Sequence, residues 1–337
     1  MNDTRPGFNP HRLITLIQQS IHRCELQLDN LTVLTEAATG AYVVTPVIAA
    51  MAGAKKVFAL TQSSRYGTIE EVKAQTEQLA KIGGVSEQIE FMTDKSPDIV
   101  AQSDIITNSG HVRPIDAEMI AWMKATAVIG LMYEAWEFRP EDLDLITCRL
   151  RGIQVACMNE RHPSVDVFSF LGIMAIKLLL NAGIAVYTSN ILLLCDNPFS
   201  SFIERGLVSV GANVDTVDRL EVAPIDRKYD VILVALQPRN QPVLSAGDAD
   251  IIAKYWPGAV VAQYWGDIER SALLSQKILV CPEVEPKPKH MGILPSAVGP
   301  EPIIRLQVGG LKAAEVIWQQ QFSRSHSESL MEFVQLL

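Results

Sequence analysis

Residues 31–61, LTVLTEAATGAYVVTPVIAAMAGAKKVFALT, decide the fold. An apolar run, LTVLTEA, meets a turn of small residues, ATGAY, then a helix-forming run, VVTPVIAAMAGA, and a second strand-like run, KKVFALT. Strand, turn, helix and strand within about 30 residues make a βαβ unit, whose strands lie parallel. Apolar residues stand at consecutive positions in both strands, so the sheet they enter is covered on both faces.

The alternation continues on either side. Downstream come a helix over 68–81, the strand QIEFM, a short helix over 97–102, the strand DIITN, a helix over 116–124, and the strands AVIGLMY and GIQVACM, ending near residue 158. Upstream, Leu13, Leu16, Ile17 and Ile21 carry helical spacing within residues 9–28. NERHPSVDVFSF leads into an apolar helix over 167–181, and the rhythm then restarts with NILLLCD, the helix NPFSSFIERGLVSVG, ANVDTVD, YDVILVALQ, the helix GDADIIAKYW, AVVAQYW and KILVCPE. The expectation is an α/β chain of two Rossmann-like, doubly wound parallel-sheet units joined by a long helix. Its expected parts are an N-terminal helical segment (1–30), a dinucleotide-binding domain (31–160), and a second Rossmann-like domain with the linking helix and a C-terminal tail (161–337). From Pro286 the tail turns rich in Pro and Gly, an ordered loop or flap that feeds a helix over 310–321; SRSHSESLMEFVQLL reads as a short helix or a frayed end.

Composition narrows the function classes. Twenty-nine basic against 38 acidic residues give a net charge of −9, with no Lys/Arg cluster, so nucleic acid is not an expected partner. Five scattered cysteines without CxxC spacing read as reduced thiols, and no His/Asp/Glu cluster has metal-ligand spacing. The apolar stretch from Val167 to Val186 is broken by Lys177 and by Gly172 and Gly183, which suits a buried helix and not a membrane span. MNDTRPGFNPHR lacks the basic-then-apolar pattern of a signal peptide, so a cytoplasmic chain is expected. Nothing in the sequence excludes a homo-oligomer.

In a doubly wound sheet the ligand sits at the carboxyl ends of the strands, where the first βα turn brings a pyrophosphate to a helix N-terminus. Here that turn holds Thr39, Gly40, Ala41 and Tyr42: small residues that permit close approach, but a single glycine and no GxGxxG. The alternative is a tight connection with no ligand, but the fold places a phosphate at this position, which favours the phosphate turn. The second strand ends in ALTQSSRYG, with Ser63, Ser64 and Arg65 and no acidic residue before Glu70. An acidic residue there would accept the 2'-OH of NAD, whereas Arg and hydroxyl groups suit the 2'-phosphate of NADP. NADP is therefore favoured over NAD, against the alternative of a solvated loop.

Residues 104–145, DIITNSGHVRPIDAEMIAWMKATAVIGLMYEAWEFRPEDLDL, resemble the second half of the cofactor domain of adenosylhomocysteine hydrolases and, more distantly, of D-2-hydroxyacid dehydrogenases. The resemblance implies that the turns Thr107–His111 and Tyr133–Trp136 line the nicotinamide side of a cofactor. The sequence departs from the hydrolases where Glu134-Ala135-Trp136-Glu137 replaces a glycine-histidine pair, and no hydrolase substrate domain precedes it. What carries over is a dinucleotide domain.

Hydride transfer needs a proton donor or acceptor near the nicotinamide. His111 follows a strand end beside Arg113, and Asn108, Ser109 and Gly110 share its turn; a histidine bonded only to backbone is the plainer reading. His290, on the proline-stiffened tail with Lys287, Lys289 and Ser296, is the second acid/base candidate, and Glu134 the third, although a salt bridge to Arg139 accounts for it equally. In DNPFSS, Asp196, Asn197 and Ser200 read as caps. The functional expectation is an NAD(P)-dependent oxidoreductase acting on a small polar metabolite in a cleft between the units. Its rival is a nucleotide-sensing or partner-binding protein that kept the fold without turnover.

Overall fold

The computed structural model describes residues 5–322 and 331–337. The chain divides into two compact units, residues 1–167 with 299–337 and residues 168–298. The first unit opens with helix α1 (Pro10–Cys24), capped by the Asn9 carboxamide oxygen, which accepts from His11 N–H and Arg12 N–H at 3.0 and 3.3 Å. Strands β1 (Thr32–Glu36), β2 (Lys56–Leu60), β3 (Ile89–Met92), β4 (Ile105–Thr107), β5 (Val128–Leu131) and β6 (Gln154–Met158) follow, linked by helices α2 (Val44–Met51), α3 (Ile69–Gly83), α4 (Pro97–Gln102), α5 (Ala117–Trp122) and α6 (Leu145–Arg151).

The second unit holds α7 (Phe170–Asn181), β7 (Asn190–Leu194), α8 (Ser200–Ser209), β8 (Asn213–Val217), β9 (Val231–Ala235), α9 (Ala246–Tyr255), β10 (Val260–Trp265), α10 (Arg270–Ser275) and β11 (Val280–Cys281). Its sheet runs β8-β7-β9-β10-β11, all parallel. The chain then returns to the first unit with α11 (Glu301–Gln320) and β12 (Val334–Leu336).

The first sheet has the order β3-β2-β1-β4-β5-β6, parallel throughout, with β12 added antiparallel beyond β6. Consecutive residues of its strands serve opposite faces. Val33, Val57 and Ile105 pack with α1, α2 and α11, while Leu34, Phe58 and Ile106 pack with α4, α5 and α6. The second sheet repeats the device: Ile191 and Leu233 meet α7 and α8, and Leu192 and Ile232 meet α9 and α10. Two α/β units, each covered on both faces, agree with the expected fold class.

The unit boundaries differ from the expected ones. Residues 1–30 are not a separate segment, because Leu13, Ile14 and Ile17 of α1 lie in the first core. Residues 299–337 leave the second unit, because Ile304, Val308, Leu311, Ala314 and Ile317 of α11 bury against Val33, Ile105 and Val128. The expected linking helix, α7, packs inside the second unit through Leu171, Met174 and Leu178. α11 starts at Glu301, well before residue 310. Part of the expected terminal helix is the strand β12; residues 323–330 of that stretch lie outside the described residues. Among the described residues, no helix is long and apolar enough to cross a membrane.

Candidate functional site

The strand order of the first unit reverses direction between β1 and β4, and the carboxyl ends of these neighbours frame the crevice where such sheets bind ligands. The turn leaving β1 enters a short 3-10 helix, Gly40–Val43, that runs into α2. Thr39 stands at the N-cap but does not cap. Its hydroxyl donates to the Tyr66 carbonyl at 3.1 Å, so the first N–H groups of the helical turn have no side-chain acceptor. Gly40 has φ +65°, which glycine adopts without strain, and a Cβ there would meet nothing within 4 Å. Ala41 is buried and Tyr42 half-buried; burial, then the neighbouring Glu36 carboxyl, pushes the Tyr42 phenol up.

The loop after β2 closes on itself. Ser64 and Gly67 exchange backbone bonds at 3.0 and 3.2 Å, and the Ser64 hydroxyl accepts from Tyr66 N–H at 3.2 Å. The Arg65 guanidinium lies 4.7 Å above the Tyr66 ring and donates to its hydroxyl. Ser63, Ser64 and Arg65 are exposed. The Thr39–Tyr66 bond thus joins the expected phosphate turn to the expected ribose loop. Thr61, just past β2, is fully buried with its hydroxyl unpartnered.

The loop after β4 forms the other wall. The hydroxyls of Thr35, Thr107 and Ser109 form a buried trio, with oxygens 2.6 to 3.3 Å apart. Asn108 is 2% exposed; its carbonyl oxygen accepts from Met132 N–H at 2.9 Å, and its amide nitrogen has no partner. Gly110 has φ +37°, and a Cβ there would overlap the Glu36 carboxyl. Glu36, 7% exposed, is raised above the usual carboxylate range by burial, against the opposing pull of Arg113 and of the His111 N–H that donates to it. Arg113 is bound to Asp142 at 2.9 Å. Burial lowers the His111 imidazole, which favours its neutral form at pH 7.

Glu134 lies beyond β5, 2% exposed and surrounded by donors: Trp136 Nε1 at 2.7 Å, Glu160 N–H at 3.1 Å and Gln335 Nε2 at 3.1 Å. Its ion pair is with Arg161, at 3.6 Å, and not with Arg139. Beside it Glu137 and Glu160 hydrogen-bond to each other. Burial pushes Glu137 up to about 7, and burial with the charges of Glu137 and Glu134 raises Glu160 well above the usual carboxylate range. Glu134 thereby holds the loops after β5 and β6 together.

In the second unit His290 N–H bonds the Lys287 carbonyl at 2.9 Å, and its ring Nδ1 lies 2.9 Å from the Pro288 carbonyl. The tail is pinned to β10, Gly292 N–H donating to the Tyr264 carbonyl at 2.8 Å. Asp196 accepts from Gln237 N–H at 2.8 Å, from Asn197 at 3.2 Å and from Arg239 at 2.9 Å. Asn197 accepts from Phe199 N–H at 3.1 Å just before α8 and donates to the Ala235 carbonyl at 2.7 Å.

The structure brings together Thr39, Gly40, Ala41, Tyr42, Ser64 and Arg65 on one side of the crevice and Asn108, Ser109, Gly110 and His111 on the other. Sequence reasoning passed over Glu36 and Thr61. Glu36 closes β1 as an acidic residue, but nothing in the strand itself marks its burial, which comes from the loop after β4.

No protein-family model and no curated protein matches the chain. Solved structures do. A dipicolinate synthase chain from Bacillus halodurans superposes with a TM-score of 0.55 at 12% identity, covering 88% of this chain and 99% of that one. Its counterpart in the dipicolinate synthase of Bacillus subtilis gives 0.55 at 11% identity over the same shares, 88% and 99%. NAD-dependent formate dehydrogenase from Staphylococcus aureus, in complex with NAD, gives 0.47 at 12% identity, covering 83% of this chain and 98% of that one. The protein is similar to the two dipicolinate synthase chains in fold.

Proposed function

We propose that the protein is an NAD(P)-dependent oxidoreductase, with NADP favoured over NAD, acting on a small polar metabolite. The observation that carries this reading is the bond from Thr39 to Tyr66: it spends the capping hydroxyl, leaves the helical start without a side-chain acceptor, and ties that start to the loop bearing Arg65. A dinucleotide needs both features side by side.

The residues fit such a cofactor. The N–H groups of Gly40, Ala41 and Tyr42 suit the pyrophosphate, and the open space over Gly40 lets it approach. Ser63, Ser64 and Arg65 suit a 2'-phosphate, since Arg65 is exposed and its guanidinium lies over the Tyr66 ring. Asn108 has a buried donor to offer. When bound, the nicotinamide supplies hydride chemistry. His111, favoured as the neutral imidazole, serves as the acid/base that takes or returns the proton at a ring nitrogen.

Titration with NADPH and NADH tests the reading. Arg65→Ala weakens NADPH binding about tenfold or more and leaves NADH little changed, as expected for a charge-assisted pair with the 2'-phosphate. Equal losses for both cofactors, or none, count against the NADP preference. Tight binding without turnover across a panel of carbonyl, amino and hydroxy acids counts against an enzyme.

A further inference from the structure

Glu36 is the last residue of β1, and its carboxyl packs against the loop after β4. His111 N–H donates to it, and Gly110 leaves no room for a Cβ against it. Tyr42, on the expected phosphate turn, is near enough for the Glu36 carboxyl to raise its phenol. The charged and titratable groups that face it are Arg113, His111 and Tyr42, and Arg113 is already engaged by Asp142 at 2.9 Å. A pyrophosphate held between these loops rests close to a nearly water-free carboxyl whose one facing cation, Arg113, is shared with Asp142. Two anions so placed in a low-dielectric site repel strongly.

We infer that Glu36 carries the proton that lets an anionic dinucleotide settle between β1 and β4, so that binding takes up one proton wherever this carboxyl starts ionised. The inference rests on the dinucleotide reading of the site. The carboxylate takes its proton from solvent, and no bond to the ligand forms. Affinity therefore falls as pH rises past the point where Glu36 ionises in the free protein, by at most tenfold per pH unit for one linked proton. Glu36→Gln keeps an acceptor for His111 N–H and removes the charge, which makes binding tighter at high pH and flat with pH.

Calorimetric titration of the full chain in two buffers of different ionisation enthalpy counts the protons. NADH is the first probe, because it lacks the 2'-phosphate whose own titration would add to the count, and NADPH is the second. The expected result is proton uptake on binding NADH in the wild type, growing as pH passes the point where Glu36 of the free protein ionises, and none in Glu36→Gln. Uptake that persists in Glu36→Gln assigns the proton to His111 or another group and overturns the inference, while the dinucleotide site stands. If Glu36→Gln does not fold, the wild type alone decides: NADH affinity that is constant from about pH 5 to about pH 9, with no uptake, overturns it. Failure of the wild type to bind NADH or NADPH at any pH overturns the cofactor reading itself, and the inference with it.

Discussion

Each sheet carries an acidic side chain at its point of reversal, and the two are treated in opposite ways. Asp196, just beyond β7, is met by Gln237 N–H, Asn197 and Arg239, and these donors outweigh its burial, so its carboxyl is held below the usual range. Glu36, at the end of β1, is met by one backbone N–H and is raised. The same contrast runs through the surrounding polar groups. In the second unit Asn197 is satisfied on both sides of its amide; in the first, Asn108 keeps an unpartnered nitrogen and Thr61 an unpartnered hydroxyl, both buried. Buried polar groups left unpaired cost stability, and the Asn108 nitrogen past β4 and the Thr61 hydroxyl past β2 are two such groups. On the proposed reading the β1–β4 edge is the one left open for a ligand, whereas the β7–β9 edge is fastened by its own contacts.

The sharpest way to break this contrast is through catalysis. If the first unit supplies the acid/base, His111→Asn lowers turnover ~10²- to 10⁴-fold while cofactor still binds. His290→Asn, whose ring lies against the Pro288 carbonyl in the second unit, leaves the rate near wild type. A screen of carbonyl compounds followed by NADPH absorbance supplies the substrate. Should both variants keep wild-type rates, neither histidine is the acid/base.

A smaller effect is expected at the other edge. Asp196→Ala removes three donor contacts from a carboxylate whose side chain is 17% exposed, and costs about 2 kcal/mol in unfolding free energy. Cofactor affinity does not change if this edge only fastens the loops after β7 and β9. Urea unfolding paired with NADPH titration separates the two readouts; a loss of affinity without a loss of stability would make the second edge a ligand site as well.

Much of this was legible in the sequence, for reasons that also mark where legibility ends. Apolar runs such as TVLTE and NILLL declare fully covered strands, and Thr68 with Glu71 declares a helix start that forms as a capping box. The short α6 and α10 escape the sequence reading, although α4 and α5, of about the same length, do not. The return of α11 to the first sheet is invisible, because a helix buried on nearly every side, with even Gln307, Lys312 and Glu315 inside, carries no mark of which sheet it covers. Thr39, Gly40 and Arg65 could be placed because fold topology assigns positions to the ends of β1 and β2. The burial of Glu36 could not, since it depends on Gly110 and His111, more than seventy residues away in the chain and brought alongside by the pairing of β1 with β4.

The smallest expected effect compares the two carboxyls directly, through stability against pH. For Glu36 the folded state holds its proton more tightly than the unfolded chain does. Its contribution is fully present below the unfolded value and is lost as pH rises through the raised folded value. For Asp196 the sign reverses: the folded state prefers the anion, so its contribution is present above the unfolded value and is lost as pH falls through the lowered folded value. Thermal midpoints should respond accordingly. Glu36→Gln raises the midpoint relative to wild type in alkaline buffer and leaves it unchanged in acid, whereas Asp196→Asn lowers it at neutral and alkaline pH, with the deficit shrinking as the buffer turns acidic. Glu137, pushed up to about 7, and Glu160 give the wild type a slope of the same sign as Glu36. Each variant is therefore read as its difference from wild type at each pH, which cancels what these residues contribute to both. Difference curves of the same sign for the two variants would mean that Glu36 is paired as well as Asp196 is, and the first edge would lose its claim to be the one left open for a ligand.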